Sequence, residues 1–149
     1  MATFLTAQGV SWHVQSIVNN AQQRLFIVSP HLALSPSLLQ SIQTVGAKVL
    51  TSIIYREWNL SDDLLEKLRH IRKLSLLQNS NLYARCYFNE HAMVLTSMSL
   101  SEYEKTDNWE MGVLLDRELD TTLYQSAFDE VLKISDASKL IKSQDNRTL

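Results

Sequence analysis

Apolar residues near the start of the chain recur at helical spacing. Val10, Val14, Ile17, Val18 and Ala21 fall on one side of a 3.6-residue period, which predicts a helix to about Gln22 with Ser11 as its candidate cap. The pattern then changes to a continuous run, Leu25-Phe26-Ile27-Val28, closed by Ser29-Pro30. Proline cannot donate to a ladder, so a buried strand ends there. Ser35-Pro36 supplies a capping hydroxyl and a residue suited to the first helical position, and Leu38, Leu39, Ile42 and Val45 form an apolar face before Gly46. Val49 to Tyr55 is β-rich, and the strand-helix-strand order predicts parallel pairing through a right-handed crossover. A third helix opens at Ser61-Asp62-Asp63, where carboxylates meet the positive end of the dipole, with Leu64, Leu65 and Leu68 as its face. Its basic end, Arg69-His70-Ile71-Arg72-Lys73, complements the negative end of that dipole; phosphate contact is the alternative use.

After a short strand at Leu74-Ser75-Leu76-Leu77, the pattern from Asn81 to Met111 predicts a hairpin, a polar loop and a third strand. In Tyr83 to Phe88 the side chains alternate. Ala84, Cys86 and Phe88 are expected on one face, and Tyr83, Arg85 and Tyr87 on the other. Asn89-Glu90-His91 makes the turn, and Ala92 to Ser97 returns. Met111 to Leu115 adds a strand. Leu119, Leu123, Phe128, Val131, Leu132 and Ile134 predict a last helix, with Asp120 and Thr121 near its start. The sum is an α/β fold of about six strands and four helices, a mixed β-sheet flanked by helices. Residues 1–135 are expected to form the domain, and 136–149 a polar tail.

Composition changes this picture little. The 149 residues, 45% hydrophobic and 20% charged, suit one domain. A net charge of −2 gives no global attraction for nucleic acid or anionic membrane, so any such contact must be local. One cysteine, Cys86, builds neither an internal disulfide nor a Cys-rich zinc site. No His set has metal-ligand spacing, and no metal or cofactor is expected. The absence of a membrane-length apolar run and of a signal pattern leads to the expectation of a cytoplasmic protein.

The order helix, Leu-Phe-Ile-Val-Ser-Pro, capped helix, Gly-Ala-Lys-Val, then a hairpin ending in Thr-Ser-Met-Ser-Leu and followed by Asn-Trp-Glu-Met-Gly-Val, resembles single-domain members of the phospholipase D-like superfamily. That family carries a His-x-Lys-x4-Asp motif on the hairpin, a Ser-x-Asn after its second strand and a Glu before the next. The resemblance implies a phospholipase D-like half-domain and metal-free phosphodiester chemistry. In that chemistry a His attacks phosphorus, Lys and Asn hold the oxyanions, and a second His supplied by dimerisation acts as acid.

Carried over position by position, the nucleophilic His falls on Tyr83, the Lys on Arg85, the Asp on Glu90, the Ser on Ser97, the Asn on Ser99 and the Glu on Glu110. Arg85 remains a cation able to hold phosphate, and Glu90 remains acidic. Tyr83 is the large change, because a phenol with an ordinary pKa of about 10 is almost wholly protonated at neutral pH. His31, after the first strand, and Trp109, beside Glu110, are further candidates for the ligand site; His91 would have to reach back from the turn.

The resemblance thus implies a catalytically degenerate domain, a homodimer across the motif face, that binds or scaffolds nucleic acid or another phosphodiester. Two alternatives stay open. One is an active metal-independent phosphodiesterase or nuclease that uses Tyr83 or a recruited His, and the other is the non-catalytic subunit of a heteromeric complex.

Overall fold

In the computed structural model, which describes residues 1–57, 60–100 and 107–144, the first helix starts earlier than its apolar period suggests. Its cap is Thr6, whose hydroxyl accepts from the Gly9 N–H, and Ser11 lies inside helix α1 (Ala7–Asn20). The four residues before it form a strand, β1 (Thr3–Thr6), that the sequence pattern does not announce: only Leu5 of the four is buried. The other caps are as expected. Ser35 accepts from Leu38 N–H at the start of α2 (Pro36–Gly46), and Ser61 accepts from Leu64 N–H at the start of α3 (Asp62–Arg69).

Three strands, β2 (Arg24–Val28), β3 (Leu50–Tyr55) and β4 (Leu74–Gln78), pair in parallel, with α2 and α3 as the crossovers. The hairpin β5 (Cys86–Asn89) and β6 (Ala92–Thr96) pairs antiparallel to β2, and β7 (Met111–Asp116) follows β6. One eight-stranded mixed sheet results, in the order β1-β7-β6-β5-β2-β3-β4-β8. Helices α1 to α3 cover one face through Val14, Ile17, Ile42 and Leu68, packed on Leu25, Ile27, Ile53 and Leu76. Helix α4 (Thr121–Asp136) covers the other through Tyr124 and Val131, packed on Val28, Ile54, Phe88 and Met93. Gly112 lets α1 lie close on β7, since a Cβ there would stand 2.8 Å from Val10 Cγ2.

Five expectations change. Among the described residues eight strands replace six. The stretch expected to be a polar tail contributes β8 (Lys139–Lys142), antiparallel to β4, with Lys142 Nζ donating to the Ile71 and Leu74 carbonyls. On α4 the buried residues are Tyr124 and Val131, whereas Leu119, Leu123 and Leu132 are exposed. The predicted strand from Tyr83 begins only at Cys86. Tyr87 is not surface-facing beside Tyr83 but buried, its hydroxyl donating to the Met98 carbonyl. Trp58 lies outside the described residues. Among those residues no helix is long and apolar enough to cross a membrane.

Candidate functional site

The register separates the hairpin into two ends. Cys86 pairs with Val28, at the C-terminal end of β2, and Asn89 pairs with Leu25, near the N-terminal end. Tyr83 and Arg85 therefore stand where the parallel strands finish, beside the segments that follow β2 and β3. Clefts at the carboxyl ends of strands are the general binding position of open α/β sheets.

Six side chains lie at this end. The Arg85 guanidinium donates from Nε to the Ser99 hydroxyl at 3.1 Å and from Nη1 to the Tyr83 carbonyl at 3.1 Å. Nη2 has no partner among the described residues. Ser99 is buried, so its end of this contact is fixed. Ser97, two residues earlier, donates to the Glu110 carboxylate at 2.5 Å and accepts from the Met111 N–H at 3.2 Å, tying the end of β6 to the start of β7. Tyr83 is 70% exposed, and its ring lies against Arg56, whose Cζ is 4.5 Å from the ring centroid.

His31 joins this group from the loop after β2. Its Nδ1 contacts the Glu57 carboxylate, and its Nε2 lies 3.2 Å from Arg56 Nη2. Both ring nitrogens of His31 are thereby engaged, one by a carboxylate and the other by a guanidinium. Ser29 braces the neighbouring backbone: it donates to the His31 carbonyl at 2.6 Å and accepts from the Leu100 N–H at 3.1 Å.

Arg56 and Glu57 were not singled out in the sequence. The available signal was their position, directly after a buried parallel strand, where side chains face the cleft. Trp109 is fully exposed, next to Glu110.

Glu90 is not among this group. It sits at the far turn, 1% exposed, and its two oxygens accept from the backbone N–H groups of Gln22, Gln23 and Arg24 at 3.0–3.3 Å. Burial pushes its carboxyl pKa up, but the N–H donors of Gln23, Arg24 and Gln22 outweigh this and hold it below the usual value. His91 pairs with Glu90 at 3.3 Å and so stays at that end too. The basic run at residues 69–73 precedes β4, also at the end opposite Tyr83. Cys86 is a core thiol, its pKa pushed up to about 12 by burial, and offers no nucleophile.

No protein-family model and no curated protein matches the sequence. Solved structures do match the fold. NucT from Helicobacter pylori superposes with a TM-score of 0.78 at 14% identity, over 95% of this chain and 99% of that one. Nuc from Salmonella typhimurium, a phospholipase D family member, gives 0.69 at 13% identity, over 96% and 100%. TrmBL2, an archaeal chromatin protein whose structure shows a novel mode of DNA binding, gives 0.61 at 13% identity; the chain covers 94% of its own length and 53% of that protein.

Proposed function

We propose, on the premise of the phospholipase D-like fold that this chain has, that it is a non-catalytic member of that architecture, a dimeric module that binds nucleic acid or another phosphodiester through Arg85. The observation that carries this reading is the state of the imidazole. Tyr83 stands at the position that the motif gives to the nucleophilic His, and the imidazole at the site, His31, has Nδ1 on Glu57 and Nε2 on Arg56. Neither ring nitrogen is free to attack phosphorus. Arg85, by contrast, is anchored on two sides and keeps Nη2 for an anion, the arrangement that suits a phosphate oxygen.

Support for a second copy of the chain comes from an uncovered apolar strip beside the site. Phe4, Val113 and Leu95 are cross-strand neighbours on β1, β7 and β6, and Met111 lies on the same side; all four are exposed. Met111 adjoins the Ser97–Glu110 pair, so a self-association over this strip would bring two sites together. A His-bearing homologue in place of the second copy is the heteromeric form of the same proposal.

The test is fluorescence anisotropy with labelled DNA in chelator, together with gel analysis of the same mixtures and light scattering of the free protein. Salt-dependent binding without cleavage, weakened by Arg85→Ala, is the expected result. Cleavage that Tyr83→Phe abolishes would overturn the non-catalytic reading. It would favour a second one, in which His31, oriented by Glu57 and released from Arg56, takes the Tyr83 proton. A monomer at tens of micromolar would remove the dimer.

A further inference from the structure

The residue that replaces the nucleophile has a geometry of its own. Tyr83 is 70% exposed although the Arg56 guanidinium lies over its ring at 4.5 Å. One face of the phenol is thus occupied by a cation, and exposure this large leaves the opposite face to solvent. Arg56 is in turn fixed, donating to the Leu82 carbonyl at 3.2 Å and to His31 Nε2. Its own carbonyl accepts from Gln78 Nε2 at 2.7 Å. The ring is therefore seated on a rigid support, unlike an ordinary surface tyrosine.

Tyr83 also lines a groove of about 520 Å³ with Asn79, Asn81 and, from α4, Glu130 and Lys133. The Asn81 side-chain amide has no hydrogen-bond partner among the described residues, and an amide offers both a donor and an acceptor. Two residues along the chain, Arg85 Nη2 has no partner among the described residues. Flat aromatic surface, cationic backing, an unused amide and a phosphate-competent guanidinium are the groups that bind one nucleotide of a single strand: base on ring, base edge on amide, phosphate on guanidinium.

We propose that Tyr83 is a nucleobase-stacking platform, backed by Arg56, that accepts an unpaired base of single-stranded nucleic acid in the groove lined by Asn79 and Asn81. This rests on the reading of the chain as a nucleic-acid-binding module and narrows its ligand. In a duplex the base faces are already stacked on one another and cannot reach the ring, so strand separation is the discriminating property.

Binding of a fluorescein-labelled oligo-dT 20-mer, of the same 20-mer carrying abasic sites and of its duplex with oligo-dA is measured by anisotropy for the wild type, Tyr83→Ala, Tyr83→Phe and Arg85→Ala. The single strand is expected to bind at least tenfold more tightly than the duplex. Tyr83→Ala should lose roughly tenfold in single-strand affinity, Tyr83→Phe should keep it, and the abasic strand should be insensitive to either change. Tyr83 is exposed and Arg85 only half-buried, so all three variants are expected to fold, and thermal melts verify it.

Nucleic acid bound with Arg85 dependence but with no Tyr83 dependence, or equally well as duplex, overturns this inference and leaves the broader function standing. No binding of any strand by the wild type overturns both. Tyr83→Ala shifting the oligomeric state in light scattering while leaving affinity unchanged would make the ring an interface residue and overturn the platform. Thymidine monophosphate competing as well as the 20-mer would overturn the strand as occupant.

Discussion

At the turn of the β5–β6 hairpin, the Glu90 carboxylate is buried and receives N–H groups from Gln22, Gln23 and Arg24. At the open end of the same hairpin, Arg85 is half-buried, makes two hydrogen bonds and has a third nitrogen without a partner among the described residues, while Tyr83 is exposed. Both ends carry a charge at a position of the resembled motif, yet only one leaves any of that charge available to another molecule. A charged side chain whose acceptors are filled by its own backbone holds the fold; one with unfilled capacity at a cleft is placed to hold a ligand. Spacing in the sequence makes the two look like partners in one site, and the strand between them puts them at opposite ends of the sheet.

The contrast breaks most visibly at Glu90. Glu90→Ala strands three backbone donors and is expected to lower the unfolding free energy by about 3 kcal/mol in urea titrations. DNA affinity of the fraction that remains folded should be unchanged. An equal loss of affinity would mean that the two ends act together. The pH dependence follows from the depressed carboxyl pKa. The folded state binds the proton less readily than the unfolded chain, so the stabilisation is fully present above the unfolded value of about 4.3 and is lost as pH falls through the lower folded value. Melts of the wild type between pH 6 and pH 3 should steepen on the acid side, and Glu90→Gln should flatten that part of the curve.

Arg85→Ala should do the reverse. DNA binding is expected to weaken about tenfold, or about 1.4 kcal/mol, and the salt slope to fall by about one. Stability should move by no more than about 1 kcal/mol, since two hydrogen bonds at a half-exposed guanidinium are replaced by water. Arg85→Lys keeps the charge but not the fork, so it should restore the salt slope better than the affinity. Ser97→Ala gives the smallest effect. It removes the contacts to Glu110 and the Met111 N–H and should cost about 1 kcal/mol. A larger loss in binding than in stability would bring the Ser97–Glu110 pair into the ligand site.

Much of the fold was legible because local rules and tertiary packing agree. Ser35-Pro36 and Ser61-Asp62-Asp63 are helix starts that owe little to the rest of the molecule, and each appears where expected. The runs 25–28 and 49–55 bury residues on both faces of the sheet, Leu25, Ile27 and Ile53 on one and Val28 and Ile54 on the other, as a central strand requires. β1 and β8 were not legible for the opposite reason. Each is a four-residue edge strand with little buried surface, and its existence depends on the partner strand, β7 for one and β4 for the other. The α4 face was misjudged because exposed leucines at 119, 123 and 132 carry the same period as a buried set, while Tyr124 is held by its hydroxyl bond to the Asn89 carbonyl.

For the site, the amino-acid order alone determined which residue types stand at the positions of the resembled motif: a phenol where that motif has an imidazole, a guanidinium two residues on, and serines and a glutamate at the corresponding intervals. That is chemistry, and it is written in side-chain identity. Only the tertiary structure decided which of these meet. It joins Arg85 to Ser99 and Ser97 to Glu110, brings in Arg56 and Glu57 from a different crossover, engages both nitrogens of His31, and sends Glu90 to the opposite end of the strands. The reason is geometric. A strand fixes the direction of successive side chains but not what stands opposite them, and those neighbours come from β2 and β3, which lie some tens of residues earlier in the chain and are set beside the hairpin by the sheet.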